Sequence, residues 1–267
     1  MINDLIYFII CLAVSAVGSV SGIGGGIIIK PIMDRMGQFS IPSVNFLSGC
    51  TILCMAGASL LRKEKNVKIQ KNISALLATG ACIGGIAGKE LFHLIYFFYE
   101  QTGRQKSIGV IQTILLLLIN TGILLYFFFK EKKDKKNKTK RKAVKSPAAC
   151  IIIGFGLGLL SSFLGIGGGP VNVIALCYLF LMTPKETSVN SLFIIFCSQA
   201  SSLAVNIITG TVPVFSWQTL AFMCFGGITG AFIGQLISKR INQYAVERLF
   251  VCVVVFLIAL NIFNLAI

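Results

Sequence analysis

The 267-residue chain is short of charge: only 12% of its residues are Asp, Glu, Lys or Arg, roughly half the share of a soluble domain. So few charges cannot cover a water-facing surface. A soluble enzyme, a disordered chain and a nucleic-acid-binding domain are therefore excluded. Carboxylates are the scarcest charge, 9 against 24 Lys and Arg. Only Asp34 and Glu90 read as membrane-embedded, and neither has a partner carboxylate at useful spacing for acid–base work. A single histidine cannot build a metal cluster or an HExxH site. There are 9 cysteines but no CxxC pair. The glycine clusters lack the Lys-Ser/Thr of a P-loop and do not follow a strand, so nucleotide binding is not expected. No catalytic residue, metal or cofactor is indicated. The residues before Leu5 include Asp4 and no Lys or Arg, unlike the positive n-region of a signal peptide.

What the chain has is apolar sequence: 55% hydrophobic residues and a mean hydropathy of +0.86. Apolar segments fall at about 5–20, 25–37, 43–61, 72–98, 106–129, 147–163, 169–182, 187–209, 216–238 and 245–266. Most are long enough to cross a bilayer as helices, which need about 20 residues. The fold class expected is an all-α polytopic membrane protein. Segments 25–37 and 169–182 are too short, reaching about 20 Å against a hydrocarbon core of about 30 Å. Each follows a glycine cluster. The cysteines, including Cys50 and Cys54 one turn apart, lie mostly in these runs and read as small buried apolar residues.

The basic residues are concentrated, not spread over a face. Ten of the 24 lie between Lys130 and Lys145, and five between Arg62 and Lys71. Such runs between apolar segments report orientation by the positive-inside rule, with attraction to anionic lipid as a second role. The first run divides the chain into residues 1–129, a basic linker 130–146, and residues 147–267.

The two halves repeat each other. Gly22–Gly26 (GIGGG) recurs at Gly165–Gly169, an offset of 143. Ser43-Val44-Asn45 recurs as Ser188-Val189-Asn190, an offset of 145. Gly80, Gly84 and Gly88 recur as Gly226, Gly230 and Gly234, an offset of 146. Three matches in order and at nearly one offset indicate an internal duplication. The loop charges give its sense. Arg62–Lys71 and Lys130–Lys145 read as cytoplasmic, whereas the counterpart of the former, Thr209–Phe215, is uncharged and reads as outside. Glu100–Lys106 falls outside by counting, while its counterpart Lys239–Arg248 is basic and reads as inside. Two inverted-topology repeats of about five helical segments each are expected, with both termini outside.

The glycine clusters are the candidate site. Three consecutive glycines disfavour a continuous helix by about 1 kcal/mol each and permit positive φ. A helical hairpin broken within the membrane is expected in each half. The short helix then begins at the break, with unpaired N–H groups and the positive end of its dipole. Inverted repeats bring two such breaks to the midplane, which favours an anion. The alternative is that the glycines only allow tight packing. The expected substrate-binding residues are Gly22, Gly24, Gly25, Gly26, Lys30, Asn45, Gly165, Gly167, Gly168, Gly169, Asn172 and Asn190. Lys30 either reaches the break or pairs with Asp34 at i,i+4. Asn45 and Asn190 either line the site or bond neighbouring helices, as do Ser43, Ser188 and Gln199 more weakly. The GxxxGxxxG triplets read as close-packing helix faces. Lys89, Glu90 and His93 follow the first triplet, and Trp217 reads as an interface anchor.

With its duplicated GIGGG, Pro31 nine residues after Gly22, and the glycine-spaced helices at Gly80 and Gly226, the chain resembles the sulfite exporter TauE/SafE family. The resemblance implies a plasma-membrane permease for sulfite, a sulfonate or a related sulfur-containing anion. The function expected is secondary transport of a small anion by alternating access around the midplane site. An anion channel, a thiol-handling intramembrane protein using Cys50 or Cys54, and a membrane scaffold are the alternatives. A coupling ion, H+ or Na+, and a homo-oligomer stay open as partners beside the anion and membrane lipid.

Overall fold

The computed structural model describes residues 2–62, 71–101, 105–134, 144 and 146–266. The basic loops at Arg62–Lys71 and Lys130–Lys145 therefore fall largely outside the described residues, as do residues 102–104 of the loop Glu100–Lys106.

All regular structure among the described residues is helical. The helices are α1 (Ile2–Ser21), α2 (Gly26–Met36), α3 (Ile41–Leu61), α4 (Lys71–Gln101), α5 (Gln105–Asp134), α6 (Pro147–Leu164), α7 (Gly169–Leu179), α8 (Pro184–Ile208), α9 (Trp217–Arg240) and α10 (Gln243–Ala266). Eight are long and apolar enough to cross a membrane. The other two, α2 and α7, have 11 residues each and rise only about 16 Å. The ten segments expected from hydropathy are thus all present, with α5 running on to Asp134.

Local chemistry sets the ends. Ser40 caps α3 by accepting from the Ser43 N–H, with Pro42 in the first turn. Thr183 and Glu186 form a reciprocal capping box at the start of α8. Each satisfies N–H groups that a helix start leaves unpaired. At the other end, α6 stops because Gly165 turns left-handed, φ 66°, and sends its N–H back to Ser161 and Ser162 carbonyls. Only glycine adopts that turn without strain.

The most extensive packings all join one half of the chain to the other: α4 with α6, α1 with α9, α4 with α8, α3 with α9, α3 with α8, and α5 with α10. They come in matched pairs. A Cβ on Gly80, Gly84 or Gly88 would collide with the carbonyls of Ile151, Phe155 and Leu159 in α6. A Cβ on Gly226, Gly230 or Gly234 would collide with those of Phe8, Leu12 and Ala16 in α1. Residues 8, 12 and 16 are the counterparts of 151, 155 and 159 at the offset of 143. The glycine triplets are therefore close-packing faces, where two backbones meet and small residues admit dispersion and Cα–H···O contacts. Neither half has a core of its own. Around the centre a continuous apolar cluster, including Ile23, Ile27, Leu47, Leu164, Ile166 and Val173, draws on both.

Candidate functional site at the two helix breaks

Both glycine clusters interrupt the helix. Gly22 and Gly24 have φ of 75° and 78°, and Gly165, Gly167, Gly168 and Gly169 have φ of 66°, 72°, 106° and 53°. Gly25 keeps ordinary helical dihedrals and stands just before α2. All ten residues of the two clusters are buried.

The breaks lie against each other. A Cβ on Gly26 would come within 2.6 Å of the Ile166 carbonyl, one on Gly24 within 3.6 Å of the Gly167 carbonyl, and one on Gly169 within 3.1 Å of Ile27. Two isoleucines bracket the junction: Ile52 of α3 reaches Gly26 and Gly167, and Ile195 of α8 reaches Gly24 and Gly168. Each break is also held by the other half. The Ser191 hydroxyl donates to the Gly22 carbonyl at 2.7 Å, and the Ser48 hydroxyl donates to the Gly165 carbonyl at 3.1 Å. Gly22 rests on the backbone of Ser188, and Gly165 on the side chain of Asn45.

The amide hydrogens remain. Those of Gly24, Gly25, Gly26, Gly167, Gly168 and Gly169 find no acceptor among the described residues. Buried N–H groups without partners are rare in folded proteins. Here six belong to two apposed turns, each at the start of a helix whose dipole adds partial positive charge.

Lys30, one turn into α2, is 2% exposed. Its ammonium donates to Asn45 Oδ1 and to Gln112 Oε1, each at 2.6 Å. It makes no hydrogen bond to Asp34, whose carboxylate acts on it only through space. The i,i+4 pair is replaced by two neutral acceptors on other helices. An ammonium only donates, so both amides must face it with oxygen. Gln112 Nε2 then donates to the Phe163 carbonyl at 2.7 Å, tying α5 to the last turn of α6 before the second break. Asn45 Nδ2 has no partner among the described residues. One ammonium hydrogen and one amide NH2 beside the breaks are thus uncommitted.

The remaining expected residues divide. Asn172 stands in the first turn of α7 with its Oδ1 unanswered. Asn190 is spent elsewhere: its Nδ2 donates to the Glu186 carbonyl and its Oδ1 accepts from Ser74, which binds α8 to α4. Ser43 and Ser188 also bond carbonyls, of Val214 and Val20, and Gln199 donates to the Ser161 hydroxyl at 3.4 Å. Gln112 was not foreseen. Its one signal is a primary amide within an otherwise apolar span. A cavity of about 120 Å³ lined by Ser21, Phe127, Val173, Cys177, Glu247 and Phe250, among others, borders the first break, but its lining includes neither Lys30 nor a break glycine. All nine cysteines are free thiols.

The family model described as sulfite exporter TauE/SafE matches residues 7–262. A protein of Bacillus subtilis described as probable membrane transporter protein YunE is 25% identical over 262 residues, covering 88% of this chain and 90% of the relative. A protein of Magnetospirillum gryphiswaldense described as probable membrane transporter protein MamO is 26% identical over 100 residues, 37% of this chain and 16% of that relative. No solved structure gives a significant match.

Proposed function

The chain belongs to the sulfite exporter TauE/SafE family and is a multi-pass membrane transporter of that type; from that premise we propose that it carries a small anion, sulfite or an organosulfonate, by secondary transport through the paired breaks. The observation that carries this reading is the apposition of two turns with unanswered amide hydrogens beside the buried ammonium of Lys30. Gly24–Gly26, Gly167–Gly169, Lys30 and the Nδ2 of Asn45 supply donors of the kind an oxyanion needs, and Gln112 holds Lys30 in place. Asn172 flanks the site, and Gly22 and Gly165 shape the turns. Asn190 serves the helix packing.

Unsatisfied backbone at membrane depth is stable only in protein or against a polar cavity. An anion at the junction would satisfy it. Burial of both breaks under Ile52 and Ile195 fits a closed intermediate of alternating access better than an open pore. In this reading the halves are inverted repeats in the cell membrane, the basic linker 130–146 lies in the cytoplasm, and one set of helices rocks against the other.

The test is anion binding and flux with purified protein in detergent and proteoliposomes. Gly25→Leu and Gly168→Leu should insert and abolish sulfite and sulfonate binding. A cysteine-free variant should keep it. Undiminished affinity in both glycine variants would contradict the site, and loss of flux in the cysteine-free variant would favour thiol chemistry.

A further inference from the structure

A second lysine is buried in the same half. Lys89 of α4 is 5% exposed. Its ammonium lies over the Phe92 ring, 5.2 Å from the centroid, and has no hydrogen-bond acceptor among the described residues. The residue before it, Gly88, packs on the Leu159 carbonyl of α6, six residues before the second break. The neighbouring Glu90 side chain is exposed.

Lys89 stands on a polar lane. One turn earlier, Gly85 packs on the Ser198 carbonyl and on the hydroxyls of Ser201 and Ser162. The Ser162 hydroxyl is itself buried, with no partner among the described residues, and it lies three residues before the second break. One turn later, the His93 ring bonds Asn206 Oδ1 at 3.1 Å. The lane therefore runs from the break region past Lys89 toward the end of α8.

The duplication supplies the control. The counterpart of Lys89, at the offset of 146 that relates the glycine triplets, is Gln235. Gln235 is 3% exposed and donates to the Ser19 carbonyl at 3.1 Å. The packing at this position is thus met by a neutral, bonded amide. A charge without an acceptor inside a membrane protein is costly and is retained for function.

We propose that Lys89 is a second cationic residue of the anion site and makes it favour a doubly charged oxyanion over a singly charged one. This rests on the reading of the breaks as an anion site. Two buried ammoniums, neither hydrogen-bonded to a carboxylate among the described residues, are more fully neutralised by a dianion than by a monoanion. Coulomb attraction scales with ligand charge, so whatever factor Lys89 contributes for a monoanion is squared for a dianion.

The test is equilibrium binding of sulfate and thiosulfate, as dianions, and methanesulfonate, as a monoanion, to purified protein. Lys89→Met should weaken the dianions about tenfold and methanesulfonate about threefold. Lys89→Arg should restore the wild-type ratio. Lys89→Gln, which copies the second half, should behave as Lys89→Met and keeps the test available if methionine impairs folding. An unchanged dianion-to-monoanion ratio in the neutral variants, or a wild-type preference for methanesulfonate, overturns the proposal. If Lys30→Met weakens all three anions while the Lys89 variants keep the ratio, the break site stands and the role of Lys89 falls. If none of the three binds the wild type, both fall.

Discussion

The first half of the molecule buries Lys30 and Lys89 where the second half buries Val173 and Gln235. The backbones around these positions correspond: two broken helices, two glycine-to-carbonyl helix contacts, and two serines that cross over to hold the opposite break. Geometry is shared between the halves and charge is not. The repeated glycine cluster gives each half one break, and the two breaks lie in contact. Lys30 and Lys89 belong to the first half alone, and so do the acceptors of Lys30. Lys30 has Asn45 and Gln112, whereas Asn190, the counterpart of Asn45, is consumed by Ser74 and Glu186.

That comparison can be broken at three strengths. The largest effect is expected at the shared geometry. Gly84→Leu and Gly230→Leu each drive a side chain into a backbone carbonyl that cannot step aside. Both should cost more than the roughly 1–3 kcal/mol of ordinary overpacking and should remove the monodisperse peak in size-exclusion chromatography. A tolerated leucine in one half alone would show that the two contacts are not equivalent.

Next comes the charge. Lys30→Met should weaken anion binding at least about tenfold, roughly 1.4 kcal/mol. The reciprocal Val173→Lys places an ammonium where no amide pair answers it. It should lower stability by about 3 kcal/mol, read as a drop in Tm, without raising anion affinity. Equal behaviour of the two variants would erase the asymmetry.

The smallest effect separates the asparagines. Asn190→Ala should lower Tm by breaking the α8–α4 link, a loss of about 1–3 kcal/mol, and leave affinity alone. Asn45→Ala should weaken affinity, because it removes both an anchor of Lys30 and a free N–H donor. A common phenotype would mean that both asparagines are structural.

Much of this was legible in sequence because it is local or periodic. The ten segments follow from hydropathy, the two breaks from contiguous glycines, and the packing faces from glycine at every fourth residue. The duplication follows from offsets alone. The partners of Lys30 were not legible. Gln112 is 82 residues away from it, and no spacing rule links a residue of α5 to the Lys30 ammonium of α2 and the Phe163 carbonyl of α6. The i,i+4 rule named Asp34 because it considers one isolated helix, whereas the ammonium turned to acceptors on neighbouring helices. The opposite roles of Asn45 and Asn190 were hidden for the same reason: identical tripeptides face different surroundings. The burial of Lys89 was not legible either, because it depends on how α4 packs against α6 and α8.

In the proposed mechanism an anion sits where the two breaks meet. Its most direct measurement is the anomalous difference density of a crystal soaked in selenate, a heavy oxyanion that can be located without assumption. A peak bounded by the amides of Gly24–Gly26 and Gly167–Gly169 and by the Lys30 ammonium is expected. A selenate bound elsewhere in the membrane-spanning region, with the break amides left unoccupied, would contradict it.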